Sequence, residues 1–145
     1  MKFANFCKKY VPYVRTVKSD GTRWANCGFV YALIPDGFGD IGSVLKEDTT
    51  LNTILHDAEW ADAELTHAYL PHADDKASEI IRVFSDGSVN CNILNAHFGF
   101  IEKHGMYAIA RWTEDDEERH ALLVGPYADI DDFEPTGIIL DCTEV

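Results

Sequence analysis

Apolar residues recur at two different periods along the chain, and the changes of period mark its expected elements. Phe3, Phe6, Cys7 and Tyr10 are spaced by three and four, which predicts a short amphipathic helix over 2–10, stopped ahead of Pro12. Tyr13 to Val17 and Thr22 to Ile34 are rich in aromatic and β-branched residues and flank Ser19-Asp20-Gly21. Asp20-Gly21 suits the positive φ of a tight turn, so these two runs predict a hairpin. Pro35 to Ser43 breaks the pattern with three glycines, and Asp48, Thr49 and Thr50 can each N-cap a helix that starts there. Leu51, Ile54, Leu55, Ala58, Ala61, Leu65 and Ala68 share one helical face. A longer central helix is therefore expected over 49–69, ended by Pro71, with Asp57 the place for a break.

From Glu79 the period falls to two. Ile81 and Val83 are expected opposite Val89 and Cys91 across an Asp86-Gly87 turn, and His97 to Glu102 opposite Met106 to Trp112 across Lys103-His104-Gly105. Arg119 to Val124 and Gly137 to Cys142 are further strands, joined by a loop holding Pro126 and Pro135. Residues 113–124 also fit a helix capped by Thr113, but Ala121 to Val124 has no helical period and the strand is preferred. The expected class is α+β, a mainly antiparallel sheet built from hairpins, in one domain spanning 1–145.

A chain of 145 residues buries enough surface for one core without staples. Its longest apolar runs, such as Phe29 to Ile34, fall far short of the ~20 residues a bilayer needs. The N-terminal residues hold no apolar stretch ahead of a small-residue cleavage site, so a cytoplasmic location is expected. Cys7, Cys27, Cys91 and Cys142 lie 20, 64 and 51 apart, which matches neither zinc-ligand spacing nor a disulfide framework. They read as reduced thiols, with Cys27 and Cys91 as small core residues.

Charge changes the picture most. Twelve bases stand against 25 acids, a net charge of -13. Residues 1–23 hold six bases and one acid, and residues 24–145 six bases and 24 acids, so the segments carry +5 and -18. The larger segment repels nucleic acid and anionic lipid and attracts a basic protein surface. In the basic segment, Tyr10, Tyr13 and Trp24 interleave with Lys8, Lys9, Arg15, Lys18 and Arg23, the composition of a single-strand stacking groove. The -18 of the remainder argues against direct nucleic-acid binding.

Two constellations suggest small ligands. Gly37-Phe38-Gly39-Asp40-Ile41-Gly42-Ser43-Val44 resembles, as a string, the dinucleotide fingerprint and the glycine-rich loop of protein kinases. The kinase strings His-Arg-Asp and Asp-Phe-Gly do not occur here. A dinucleotide fold would need a parallel strand ending in an acid about 20 residues on, where Asp62 and Glu64 stand in a helical period. The second constellation is His56, Glu59, Glu64, His67, His72, Asp74 and Asp75. On a helix His56 with Glu59 and Glu64 with His67 would stand at i, i+3, a spacing able to share a divalent metal.

The acids themselves cluster. Glu114, Asp115, Asp116, Glu117 and Glu118 are uninterrupted, and Asp129, Asp131, Asp132 and Glu134 fall within six residues. Both groups are expected in loops of the sheet. The second group lacks the glycine and the final glutamate of a calcium loop. Duplex DNA carries one charge per ~1.7 Å of axis, so 18 charges correspond to about 30 Å of duplex, the width of a domain this size. In composition the chain is similar to the small acidic proteins by which viruses and mobile elements block nucleic-acid-binding defence enzymes, the antirestriction and anti-CRISPR types. The leading expectation is a non-enzymatic, DNA-mimic-like inhibitor without a cofactor. It would occupy the basic, nucleic-acid-binding surface of a partner protein through those nine acids. The alternative is a phosphate-ligand or metal-binding domain or enzyme using Gly37 to Gly42 or the region His56 to Asp75.

Overall fold

Alternation and turn chemistry build most of the described residues into one sheet. The computed structural model describes residues 15–19, 21–35, 44–70, 80–85, 90–94 and 105–141. The helix expected over 2–10, the glycine loop 37–42, the strand 97–102 and the turns at Asp86-Gly87 and Lys103-His104 lie outside them. Ten strands are described: β1 (Arg15–Ser19), β2 (Thr22–Cys27), β3 (Val30–Leu33), β4 (Val44–Glu47), β5 (Glu59–Leu70), β6 (Ile80–Ser85), β7 (Asn90–Leu94), β8 (Met106–Glu114), β9 (Glu117–Gly125) and β10 (Gly137–Leu140). Their order is β4-β1-β2-β3-β10-β9-β8-β5-β6-β7, antiparallel throughout except where β4 runs parallel to β1. The fold is mostly antiparallel sheet and low in helix.

The first hairpin forms as expected. Ser19 pairs Thr22, which makes the connection a two-residue one, and Gly21 within it takes φ 81°. The run Thr22 to Ile34, however, is two strands rather than one. Cys27 pairs Val30 around Gly28-Phe29, where Gly28 takes φ 56° and the Asn26 amide nitrogen donates to the carbonyls of Gly28 and Val30, both at 3.1 Å. The β6–β7 pair is antiparallel as expected, but its register is shifted by two residues from Val83 opposite Val89 and Ile81 opposite Cys91: Val83 faces Cys91 and Ile81 faces Ile93. Among the described residues β8 is flanked by β9 and β5, and the partner expected for it across His104-Gly105 lies outside them.

The central helix is the main correction. Within 49–69 only α1 (Thr49–Asn52) is α-helical; Asp48 caps it, accepting from the Leu51 N–H at 2.8 Å. Residues Thr53–Asp57 form a wider π turn, closed by the Ala58 N–H on the Thr53 carbonyl at 2.8 Å. The Trp60 indole takes the Ile54 carbonyl at 2.8 Å, which removes the acceptor that a continuing α-helix would give Ala58. The chain then turns extended at Ala58, and Glu59 to Asp62 complete the free side of β8.

Both faces of the sheet centre are buried. On one face Val17, Trp24, Tyr31, Ala108, Ala110, Ala121, Leu123 and Ile138 pack beneath Leu51 and Ile54, which cross the sheet between β4 and β5, and beneath Phe133. The alternate residues Ala25, Val30, Ala32, Ile109, Leu122, Val124 and Ile139 point the other way and are also buried. β5 pairs β8 with its first half and β6 with its second, and β7 comes against β9, so the sheet curls back at β5. Ile93 of β7 is fully buried there. Two-sided burial explains why Ala121 to Val124 reads as a continuous apolar run.

A close approach fixes the β9–β10 connection. A Cβ on Gly125 would lie 2.6 Å from the Glu134 carbonyl oxygen and 3.1 Å from the Phe133 ring, inside contact distance of backbone. Gly125→Ala is therefore expected to cost about 1–3 kcal/mol of stability, read as a lower denaturant midpoint at unchanged slope.

Candidate functional site

The β8–β9 hairpin concentrates charge at its end. Glu114 pairs Glu117, which leaves Asp115-Asp116 as the two-residue loop, at φ 52° and 63°. Such a loop needs positive φ at both positions and usually takes Asn-Gly or Asp-Gly. Asp tolerates that region better than most residues, yet a non-glycine residue there still costs about 1 kcal/mol. Glu114 and Glu117 are like charges directly across the ladder, a second destabilising term. The run expected in a loop thus has only its two central residues in the turn, while Glu114 ends β8 and Glu117 and Glu118 begin β9.

Two arginines relieve part of the repulsion. Arg119 Nη2 lies 3.2 Å from Glu117, and Arg111 lies 3.6 Å from Glu118 and 2.8 Å from Glu59. The hydrogen bond and charge of Glu59, and then the charge of Glu118, hold the Arg111 guanidinium above its ordinary pKa. These pairs are solvated, and each contributes little. Asp116→Gly is accordingly expected to stabilise the fold by about 1 kcal/mol, a rise of about 3 °C in a thermal melt.

All nine acids singled out from the sequence are exposed, but they do not form one patch. Glu114 to Glu118 lie at one end of β9, and Asp129, Asp131, Asp132 and Glu134 follow its other end, eight residues or about 26 Å away. The second group is held outward because Ile130 and Phe133 of the same loop pack inward; Phe133 meets the Trp60 ring edge-on at 6.2 Å between centroids. Four acids that the sequence did not join to these groups lie between. Asp57, Glu59, Asp62 and Glu64 are exposed at the end of the π turn and along β5. Asp62, Glu64 and Asp129 share a cleft of about 440 Å³ with Tyr107 and Tyr127. A helical reading of 49–69 hid them on a polar helix face.

The thirteen acids stand with Arg111 and Arg119, a net -11 over a length of about 26 Å, where duplex DNA would carry about 15 charges. Glu59 and Asp62 leave opposite faces of β5, so a partner on one face meets about a third of DNA's density.

Near the turn end of the hairpin a smaller cavity of about 200 Å³ is lined chiefly by Phe29, Trp112, Glu114, Arg119, His120 and Asp141. Three nitrogens of these residues, Trp112 Nε1, Arg119 Nε and His120 Nε2, are buried and have no hydrogen-bond acceptor among the described residues. His120 Nε2 is 3.4 Å from Glu118, near enough for an ion pair when protonated but without hydrogen-bond geometry. A buried donor left without an acceptor costs about 1–3 kcal/mol. Of the acids beside His120, Glu118 stands two residues before it on the same face of β9, while Asp141 is brought there by the pairing of β9 with β10.

The remaining candidates fare differently. His56 is exposed on the π turn, and Glu59, Glu64 and His67 stand on a strand, so the helical i, i+3 pairs do not exist. His72, Asp74 and Asp75 lie outside the described residues, and among those described no three His, Cys, Asp or Glu side chains gather as metal ligands. Trp24 of the expected stacking groove is buried with its indole on Thr22 Oγ1 at 3.0 Å, so it offers no face to a base. Cys27 is half-buried with a free thiol, and burial pushes its pKa up, away from nucleophilic reactivity. No helix of the described residues is long and apolar enough to cross a membrane. Comparison with known protein families, with curated proteins and with solved structures finds no match in any of the three, so the functional reading rests on the chain's own residues.

Proposed function

We propose that this protein is a non-enzymatic acidic binding protein that occupies the basic, nucleic-acid-binding surface of a partner, with the β8–β9 hairpin as its principal contact. One observation carries the reading. The hairpin holds two aspartates in a turn that glycine would make more stable, and sets two glutamates directly opposite each other. Solubility needs acids on the surface but not at the positions where they are most destabilising. A tight turn at the end of a well-paired ladder presents those carboxylates rigidly, which lowers the entropy lost on association. The acids of β5 and of the 129–134 loop extend the same sign of field and speed encounter with a cationic surface.

The test is capture from a cognate lysate on the immobilised protein, eluted along a salt gradient. Charge-driven association weakens steeply between about 50 and 200 mM salt. Nucleic-acid-binding proteins leaving in that window are the expected result; an empty capture, or partners indifferent to salt, would contradict the reading.

A further inference from the structure

We propose that the cleft where β5 parts from β8 takes an arginine side chain of the partner protein, a second contact at the far end of β9 from the hairpin; the source of that arginine rests on the function proposed above. β5 pairs β8 from Glu59 through Asp62 and then, from Ala63, pairs β6 instead, so β5 and β8 diverge and leave a cleft of about 440 Å³ bordered by the loop after β9. Asp62 stands opposite Ala108 and so leaves the sheet on the face where Ile130 and Phe133 pack; Glu64, two residues on, follows it. Asp129 comes from that loop, next to Ile130. Three carboxylates thus border one concavity whose described lining contains no Lys, Arg or His, and none of the three has an ion pair or side-chain hydrogen bond among the described residues. Glu59, Glu117 and Glu118, by contrast, share Arg111 and Arg119.

Acids alone suit any cation, and the rest of the lining selects among cations. A cleft lined by one sign of charge focuses its field and draws the opposite charge in. The carboxylates do not gather closely enough to serve as metal ligands, which favours an extended cation over a compact ion. Met106 and Ile130 give the cleft an apolar wall, and Tyr127 beside them is 85% exposed, the most exposed large hydrophobic side chain among the described residues. Arginine matches all three features: its methylenes cover apolar surface, its planar guanidinium stacks on a tyrosine ring, and its fork of donors reaches two carboxylates at once. Lysine, a compact and strongly hydrated charge, gains less from the ring and from a second carboxylate. The volume, that of about fifteen waters, admits one such side chain with water around it.

The experiment is a ¹⁵N–¹H titration of the full chain at about 50 mM salt with a blocked Gly-Arg-Gly peptide, and with its lysine and citrulline versions, free arginine and calcium as comparators. The amides of Ala63, Glu64, Met106 and Ala128 to Ile130 are expected to move and saturate with a Kd of about 1–5 mM, while those of Glu114 to Glu118 shift less than about a third as far. The lysine peptide is expected to bind about threefold more weakly, and so is free arginine, whose α-carboxylate finds no base in the described lining. Asp62→Asn combined with Asp129→Asn is expected to weaken arginine binding at least about tenfold and Tyr127→Ala about threefold; all three side chains are exposed, so the fold is expected to stand. Citrulline binding as tightly as arginine, equal shifts at the hairpin, tighter binding of lysine, free arginine or calcium at the same amides, or no movement at about 20 mM peptide would overturn the proposal. Capture of a salt-sensitive partner with no peptide response would remove the cleft and leave the hairpin reading in place; a peptide response with an empty capture would leave the cleft an arginine site and remove the hairpin reading.

Discussion

Reversing Asp115, Asp116 and Glu117 to lysine is expected to weaken binding of the proposed partner about a hundredfold and to leave the fold standing. Each reversal turns an attraction to a basic surface into a repulsion worth about 1 kcal/mol at near-surface separations, and three together exceed the ~2.7 kcal/mol of a hundredfold change. The fold survives because all three side chains are exposed. Lysine at positions 115 and 116 is less suited than aspartate to φ near 60°, and the Arg119–Glu117 pair is lost. Against that, the triple reversal removes repulsion from Glu114 and Glu118. A thermal melt within about 3 °C of the wild type is expected, alongside the lost binding. Binding that persists in this folded variant would mean that the hairpin acids only solubilise.

The largest stability effects are expected at two neighbours on β9. Leu122 and Leu123 are both fully buried, yet they point to opposite faces of the sheet, Leu123 beneath the α1 side and Leu122 against the side that β7 folds onto. Leu122→Ala and Leu123→Ala should each cost about 2–5 kcal/mol, the sum of lost apolar transfer and a cavity. In a sheet with one solvated face, one of the pair would be nearly neutral. Equilibrium denaturation of both variants reads the difference: two comparable losses support the curled sheet, and a loss at only one position contradicts it.

The parts of the fold that were legible in the sequence are those where local chemistry and tertiary structure agree. Gly21 stands at positive φ where a two-residue turn demands it, and the alternation from Glu79 onward survives as the β6–β7 pair. The Gly28-Phe29 turn was hidden because a lone glycine within a β-rich run signals a bulge as readily as a reversal. Ala58, Ala61 and Ala68 were the misleading residues. Alanine fits a helix stripe and a crowded sheet alike, and the choice was made by the open side of β8, which Glu59 to Asp62 fill, and by Trp60 taking a helix carbonyl. The acidic residues announced themselves, but their spacing did not. Only the length of β9 shows that Asp129 to Glu134 stand away from the hairpin, and only the fold of β5 shows that Asp57, Glu59, Asp62 and Glu64 lie between. Trp112 meets Arg119, and Arg111 meets His120, through cross-strand pairing, which no local pattern encodes.

The most direct test of the central claim is displacement. A captured partner is loaded with labelled duplex, and wild-type protein or the Asp115, Asp116, Glu117 reversal is titrated in at about 100 mM salt, inside the range where charge-driven contacts respond. Wild-type protein is expected to release the duplex and the reversal to require about a hundredfold more. Equal release by both proteins, or a partner that holds its duplex while the wild-type protein is bound, would contradict the assignment of the hairpin to that surface.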